Sequence, residues 1–129
     1  MNMVDSSGWL EYFADGPNAS FFAPAIQKPL ELIVPSISIY EVFKRILQQR
    51  GASDGLRAVA AMQQGSVLPL DEVLALSAAR LSLEAKLPMA DSVMLASARA
   101  TGALLWTQDK DFETIEGVRY IGATPQGRK

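Results

Sequence analysis

The stretch Leu30-Glu31-Leu32-Ile33-Val34-Pro35-Ser36-Ile37-Ser38-Ile39-Tyr40-Glu41-Val42-Phe43-Lys44-Arg45-Ile46-Leu47 changes its hydrophobic period once, at Pro35. Before it, Leu32, Ile33 and Val34 form a short apolar run between Pro29 and Pro35, the pattern of a strand buried on both faces. After it, Ser36 or Ser38 opens a helix in which Ile39, Tyr40, Phe43, Ile46 and Leu47 recur at spacings of three and four, one apolar face. Gly51 closes that helix.

The same alternation extends in both directions. Toward the N-terminus, Met1 to Val4 reads as a first strand ending at Asp5. Ser6 and Ser7 offer N-capping hydroxyls to a helix carrying Trp9, Leu10, Tyr12 and Phe13. Gly16-Pro17-Asn18 breaks it, and a second helical stretch runs from about Ala19 to Gln27. Toward the C-terminus come a helix from Asp54 to Gln64 and a brief strand from Val67 to Leu70. Asp71 then caps a long helix with Leu74, Ala78, Leu81 and Ala85 on one face. After Pro88 follow a helix from Met89 to Ala100, a strand from Ala103 to Trp106, a turn from Asp109 to Phe112 and an edge strand from Val118 to Ile121. A frayed tail is expected at 125–129.

Strands alternating with helices predict an α/β domain with a mostly parallel sheet of four to five strands and right-handed crossovers. In such sheets, sites form beyond the carboxyl ends of the strands. The 129 residues make one domain's worth of chain, and an apolar share of 49% is enough for a core. No apolar run approaches the roughly 20 residues of a membrane helix, and the N-terminus shows no basic start of a secretory signal. The expected location is cytoplasmic.

Composition narrows the chemistry. The chain has no Cys and no His. Thiolate nucleophiles, thiolate metal sites and imidazole bases are therefore excluded. Carboxylates, hydroxyls, Lys, Arg and a borrowed cofactor remain, and oxygen ligands suit Mg²⁺ or Mn²⁺. The net charge of −2 and pI near 5.1 run against general nucleic-acid binding, which favours basic domains. They do not exclude a nuclease whose acidic cleft is neutralised by metal.

Several acids merit inspection. Asp5 directly follows the first strand, as a helix N-cap or as a metal ligand. Glu41 stands among apolar neighbours, on a solvated face beside Lys44 and Arg45 or buried against a cation. Asp91 is the one acid in an otherwise small and apolar helix, at an N-terminal position that the helix dipole favours. Asp109 and Asp111 follow the strand that ends at Trp106, where acids also serve ordinary turns. Thr107 could orient a carboxylate or a water. In a parallel sheet these positions can converge on one edge. Converged carboxylates raise one another's pKa unless cations separate them. Two divalent ions about 4 Å apart can activate water and stabilise the leaving oxygen of a phosphodiester.

The sequence resembles the PIN-domain family, and within it the VapC-type toxin ribonucleases of bacterial toxin–antitoxin pairs. The likeness rests on Met3-Val4-Asp5-Ser6-Ser7, Pro35-Ser36-Ile37-Ser38-Ile39-Tyr40-Glu41-Val42, Leu87-Pro88-Met89-Ala90-Asp91-Ser92 and Trp106-Thr107-Gln108-Asp109-Lys110-Asp111-Phe112. These blocks stand in the family's order and cover nearly the whole chain. The resemblance implies a three-layer α/β/α fold and a metal-dependent RNA endonuclease. It places Asp5, Glu41, Asp91 and Asp109 in the catalytic site. Asp5, Asp91 and Asp109 would hold the metal, with Thr107, Asp111 and Ser6 as secondary site residues. It further implies a homodimer and a VapB-like antitoxin whose tail lies across the toxin's groove. Trp106 is bulkier than the family's pattern leads one to expect.

Trp9, Tyr12, Phe13, Phe21 and Phe22 hold half of the aromatic residues and read as core or as a groove for the partner. Lys44, Arg45 and Arg50 offer positive charge near Glu41, to phosphate or simply to solvent. A competing expectation is a catalytically silent PIN-fold module acting through an antitoxin or regulatory complex. A phosphohydrolase of the haloacid-dehalogenase type is disfavoured, because Ser6-Ser7 follows Asp5 where that chemistry wants Asp-x-Asp.

Overall fold

A computed structural model describes residues 1–123, so the tail expected at 125–129 lies outside the described residues. Strand β1 (Asn2–Val4) is followed by helices α1 (Ser6–Phe13) and α2 (Ala19–Ile26). A short 3₁₀ turn at Pro29–Glu31 leads into β2 (Leu32–Pro35). Then come α3 (Ser36–Arg50), α4 (Ala52–Met62), β3 (Ser66–Leu68), α5 (Glu72–Ala85) and α6 (Met89–Thr101). Strand β4 (Leu104–Thr107), a 3₁₀ turn at Lys110–Phe112 and β5 (Val118–Tyr120) complete the order.

The five strands form one sheet in the order β3-β2-β1-β4-β5, and every pairing is parallel. The chain builds outward from β1 through β2 to β3, then returns to build β4 and β5 on the other side. The direction reverses between β1 and β4, and that switch opens a crevice at their carboxyl ends.

Period-two alternation divides the strand side chains between two cores. Val4, Leu32, Val34 and Trp106 pack with Trp9, Phe22, Val42, Ile46 and Met62 from α1 to α4. Met3 and Leu105 point the other way, onto Met94, Leu95 and Ala98 of α6 and onto Phe112. The result is an α/β/α arrangement, as expected.

Local details depart from the sequence reading. Of the caps the sequence offers α1, Asp5 is the one used and the Ser6 and Ser7 hydroxyls are not: the Asp5 side chain accepts from the Gly8 amide. Pro35 precedes α3 without a side-chain cap, and the Ser38 hydroxyl donates to the Pro35 carbonyl instead. The buried stripe of α3 is Ser38, Val42 and Ile46. Tyr40 and Leu47 are exposed at 59% and 42%. The sheet thus selects a face rotated from the one the apolar count predicts, because a small serine can approach a backbone that a tyrosine cannot. Strand β3 is one residue earlier and shorter than expected, and Ala85 of α5 is exposed. Asp71 caps α5 as expected, accepting from the Leu74 amide at 2.9 Å.

Gly8 lies where α1 crosses the sheet. A Cβ there would stand 2.6 Å from the Phe22 ring and 2.7 Å from a Val4 methyl, and both side chains are fully buried. Alanine gains up to about 1 kcal/mol of helix propensity, but overpacking costs about 1–3 kcal/mol. Gly8→Ala is therefore expected to lower stability in urea unfolding. Unchanged or higher stability would show that the α1–α2 packing yields easily.

Candidate functional site

The crevice between β1 and β4 gathers the acids. Asp5 follows β1 directly, and Asp109 begins the turn after β4. Asp91 comes from the first turn of α6, and Glu41 from the second turn of α3. A cleft of about 290 Å³ is lined by Asp5, Ser6, Glu41, Arg45, Asp91 and Asp109, together with Ser7, Leu10 and Met94.

Hydrogen bonds fix Asp5, Asp109 and Glu41. The Asp5 carboxylate accepts from the Thr107 hydroxyl at 2.6 Å, the Ser7 hydroxyl at 2.8 Å and the Gly8 amide at 3.0 Å. The Thr107 oxygen in turn accepts from the Asp109 amide at 2.9 Å. Asp109 accepts from the Asp111 amide at 2.9 Å, which shapes its turn. The Ser6 hydroxyl donates to Glu41 at 2.5 Å, joining α1 to α3.

The tightest acid cluster is Asp91, Asp109 and Asp111, with carboxylate oxygens within 4.8 Å of one another. Asp111, a secondary expectation, thus stands with Asp91 and Asp109. Asp5 lines the same cleft, but its carboxylate is engaged by three donors.

The electrostatics follow from burial and crowding. Asp5 is only 4% exposed. Burial pushes its pKa from 3.8 up to about 6; the Thr107, Ser7 and Gly8 donors oppose the rise and Asp109 adds to it. Asp91 rises to about 8, first through burial, then through a hydrogen bond shared with Asp111 and the charges of Asp109, Asp111 and Asp5. Oxygen donors alone, mutually repelling, are what a hard divalent cation relieves. The residues present therefore fit Mg²⁺ or Mn²⁺, which Asp91, Asp109 and Asp111 could hold together.

Residues 3–118 match the PIN domain. The chain belongs to the PIN-domain family. No curated protein matches the sequence. Among solved structures, this PIN domain resembles a toxin–antitoxin complex from Klebsiella pneumoniae, with a TM-score of 0.78 at 22% identity, covering 92% of this chain and 96% of that one. It also resembles a sarcin–ricin-loop-cleaving VapC toxin of Mycobacterium tuberculosis, with a TM-score of 0.72 at 17% identity over 90% and 95% of the two chains. A DNA-bound VapBC from Salmonella typhimurium gives 0.72 at 17% identity over 95% and 98%. At these identities the likeness is one of fold.

The aromatic set divides. Trp9 and Phe22 are 1% and 0% exposed, so they are core and meet no partner in this fold. Tyr12, Phe13 and Phe21 are half-buried. Phe21 packs on Trp106 with ring centroids 5.3 Å apart, and the Arg119 guanidinium lies 4.7 Å from the Trp106 ring centre. The bulk of Trp106 is thereby accommodated. The sequence reading missed Glu11, which is buried and accepts from the Asn18 amide at 2.6 Å. Its signal was an acid inside the aromatic run Trp9 to Phe13.

Two outcomes follow. Asp5 and Asp91 hold protons more tightly folded than unfolded, so their contribution to stability is present at low pH and lost as pH rises, through about 6 for Asp5 and about 8 for Asp91. Without metal the protein should melt at a higher temperature at pH 5 than at pH 8.5, and Mn²⁺ should restore stability chiefly at the higher pH. Calorimetry in chelator with a flat profile across that interval would contradict the burial and crowding of these acids. Thr107→Val keeps the side-chain shape but removes the donor to a buried carboxylate. It should cost about 1–3 kcal/mol in urea unfolding, with Thr107→Ser retaining most of the stability.

Proposed function

We propose that this PIN domain is a metal-dependent endoribonuclease, the toxin of a toxin–antitoxin pair. The observation that carries the reading is the convergence of Asp5, Glu41, Asp91 and Asp109 on one cleft at the sheet's switch point, with Asp111 beside Asp91 and Asp109. Mg²⁺ or Mn²⁺, when bound, supplies a polarised water and neutralises charge on the phosphate.

The chain's own residues do the rest. Asp91 and Asp109, with Asp5 behind them and Asp111 at the rim, form the cation seat. Thr107 ties Asp5 to the Asp109 turn and so sets the spacing of the seat. Glu41, held by the Ser6 hydroxyl, orients the attacking water and accepts its proton. The water oxygen bonds to phosphorus as the bond to the 3′ oxygen breaks; that oxygen takes a proton from solvent, leaving a 3′-hydroxyl and a 5′-phosphate.

The toxin assignment draws support from structural neighbours that are toxin–antitoxin complexes. It calls for a VapB-like antitoxin as partner and a cytoplasmic site of action, and no helix among the described residues is long and apolar enough to cross a membrane. A homodimer is supported by α5, where Val73, Leu76 and Leu83 are 72%, 62% and 84% exposed, an apolar face that a second copy would cover. Sedimentation of the purified chain reads that state directly, and a monomer at all concentrations would remove it. The retained acid set weighs against a silent binding module.

Purified, antitoxin-free protein should cut total RNA into discrete fragments with Mg²⁺ or Mn²⁺ and not in chelator. Asp91→Asn should slow cleavage by about a hundredfold or more, given the several kcal/mol a metal contributes to such a step. No cleavage by folded protein that demonstrably binds Mn²⁺ would overturn the nuclease reading.

A further inference from the structure

A second cavity, of about 540 Å³, opens between α1, α3 and α4. That volume falls within the roughly 300–1,000 Å³ of small-ligand sites. Its floor is apolar, made by Leu10, Phe13, Ile46 and Ala58. Its rim carries Arg45, Arg50 and Arg57. Ser7, Leu10 and Arg45 line both this cavity and the acidic cleft, so the two spaces adjoin.

The rim charges are unbalanced. Its two acids are already engaged: Asp54 pairs with Arg57 at 3.4 Å, and Glu11 accepts the Asn18 amide. Arg45 and Arg50 make no ion pair among the described residues. A chain with net charge −2 thus sets three guanidinium groups against two carboxylates around one cavity, with Arg45 and Arg50 outside any ion pair among the described residues, beside an acidic cleft. Such a rim attracts an anion and grips phosphate oxygens in pairs. The apolar floor beside it, with the Phe13 ring, suits a flat base. A duplex presents mainly its backbone, whereas a single strand can place an unstacked base in a concave site.

We infer that this cavity is a subsite for the nucleotide adjoining the scissile phosphate of a single-stranded RNA, with its base on the apolar floor and its phosphate on Arg45 and Arg50. The inference rests on the nuclease reading above and deepens it. Arg45 spans the two spaces and acts as a positioning residue, fixing the strand's register across the acids.

The test measures binding of a short, fluorescently labelled single-stranded RNA by anisotropy across a salt series. The full chain is used in an Asp91→Asn background with Mg²⁺, where turnover is slow. Adding Arg45→Ala and Arg50→Ala should weaken binding about tenfold and flatten the salt slope by roughly 1.4, since each single-strand phosphate contact contributes about 0.7. Arg80→Ala, which removes an exposed charge from α5, should change neither. Ala14→Trp fills the cavity from an exposed position. It should weaken binding of intact RNA but not of RNA lacking the base next to the cut.

An unchanged salt slope, or equal binding by Ala14→Trp and its parent, would overturn the subsite. So would Ala14→Trp releasing only a protein partner while RNA binding stays intact. Failure of the nuclease reading looks different: the otherwise unmodified chain would bind RNA in a cavity-dependent way yet not cut it with Mn²⁺. Cutting by that chain, with all variants binding alike, would sink the subsite alone.

Discussion

Asp5 ends β1 with its carboxylate almost wholly buried, and the hydrogen bond it accepts from Thr107 at the end of β4 holds the site together. That bond spans the point where the sheet reverses its direction of growth. The same threonine oxygen accepts the Asp109 amide, so the acid after β1 and the acid after β4 are registered through a single hydroxyl. Asp5 also caps α1. One side chain therefore sets where the first helix begins and where the second strand of the crevice presents its acids. The helix-cap and site readings of Asp5 are not alternatives. A cap aimed at the Gly8 amide uses one oxygen, and the other remains for Thr107.

Bringing four acids to one edge is electrostatically unfavourable, and among the described residues none of them is ion-paired, although Arg45 lines the same cleft. Lys110 lies in the turn between Asp109 and Asp111, but it is exposed and the described ion pairs do not include it. Burial first, and the neighbouring acids after it, hold protons on Asp5 and Asp91 well above the usual carboxylate range. A site tuned for stability alone would have replaced one of these groups with an amide. A cation from outside would relieve the cluster, which is the physical case behind the proposed metal chemistry in a chain lacking histidine and cysteine.

The order of elements was legible because strand and helix periods differ and because proline and glycine punctuate them; the acids at strand ends were legible from the topology that this order implies. What stayed hidden is informative. The face of α3 was misjudged because apolar residues were counted as though burial followed hydrophobicity alone. Ser38, small and bonded to a carbonyl, is fully buried, while Tyr40 is not. Trp9 and Phe22 were read as core or as partner groove, and the tight approach at Gly8 that settles them as core shows only in three dimensions. The closeness of Asp111 to Asp91 depends on how a 3₁₀ turn aims its side chains, and no spacing rule reports that.

Helix α3 bears on how, under the proposed function, a chain of negative net charge would meet a polyanion. Its inner stripe, Ser38, Val42 and Ile46, is fixed by the sheet. Glu41 and Arg45 stand one turn apart on the adjoining stripe, with the acid at the cleft and the guanidinium between cleft and cavity. Arg50, near the helix end, extends the positive edge away from the acids. Charge is thus sorted along one rigid element: negative at the acidic cleft, positive toward the adjoining cavity. Because screening limits each charge to roughly 8 Å at physiological salt, a ligand in the cavity responds to this local order and not to the sum over the chain. Net charge set against basic binding domains was therefore the wrong scale for the question; the placement of Arg45 relative to Glu41, one turn apart on a helix pinned by three buried residues, is the right one.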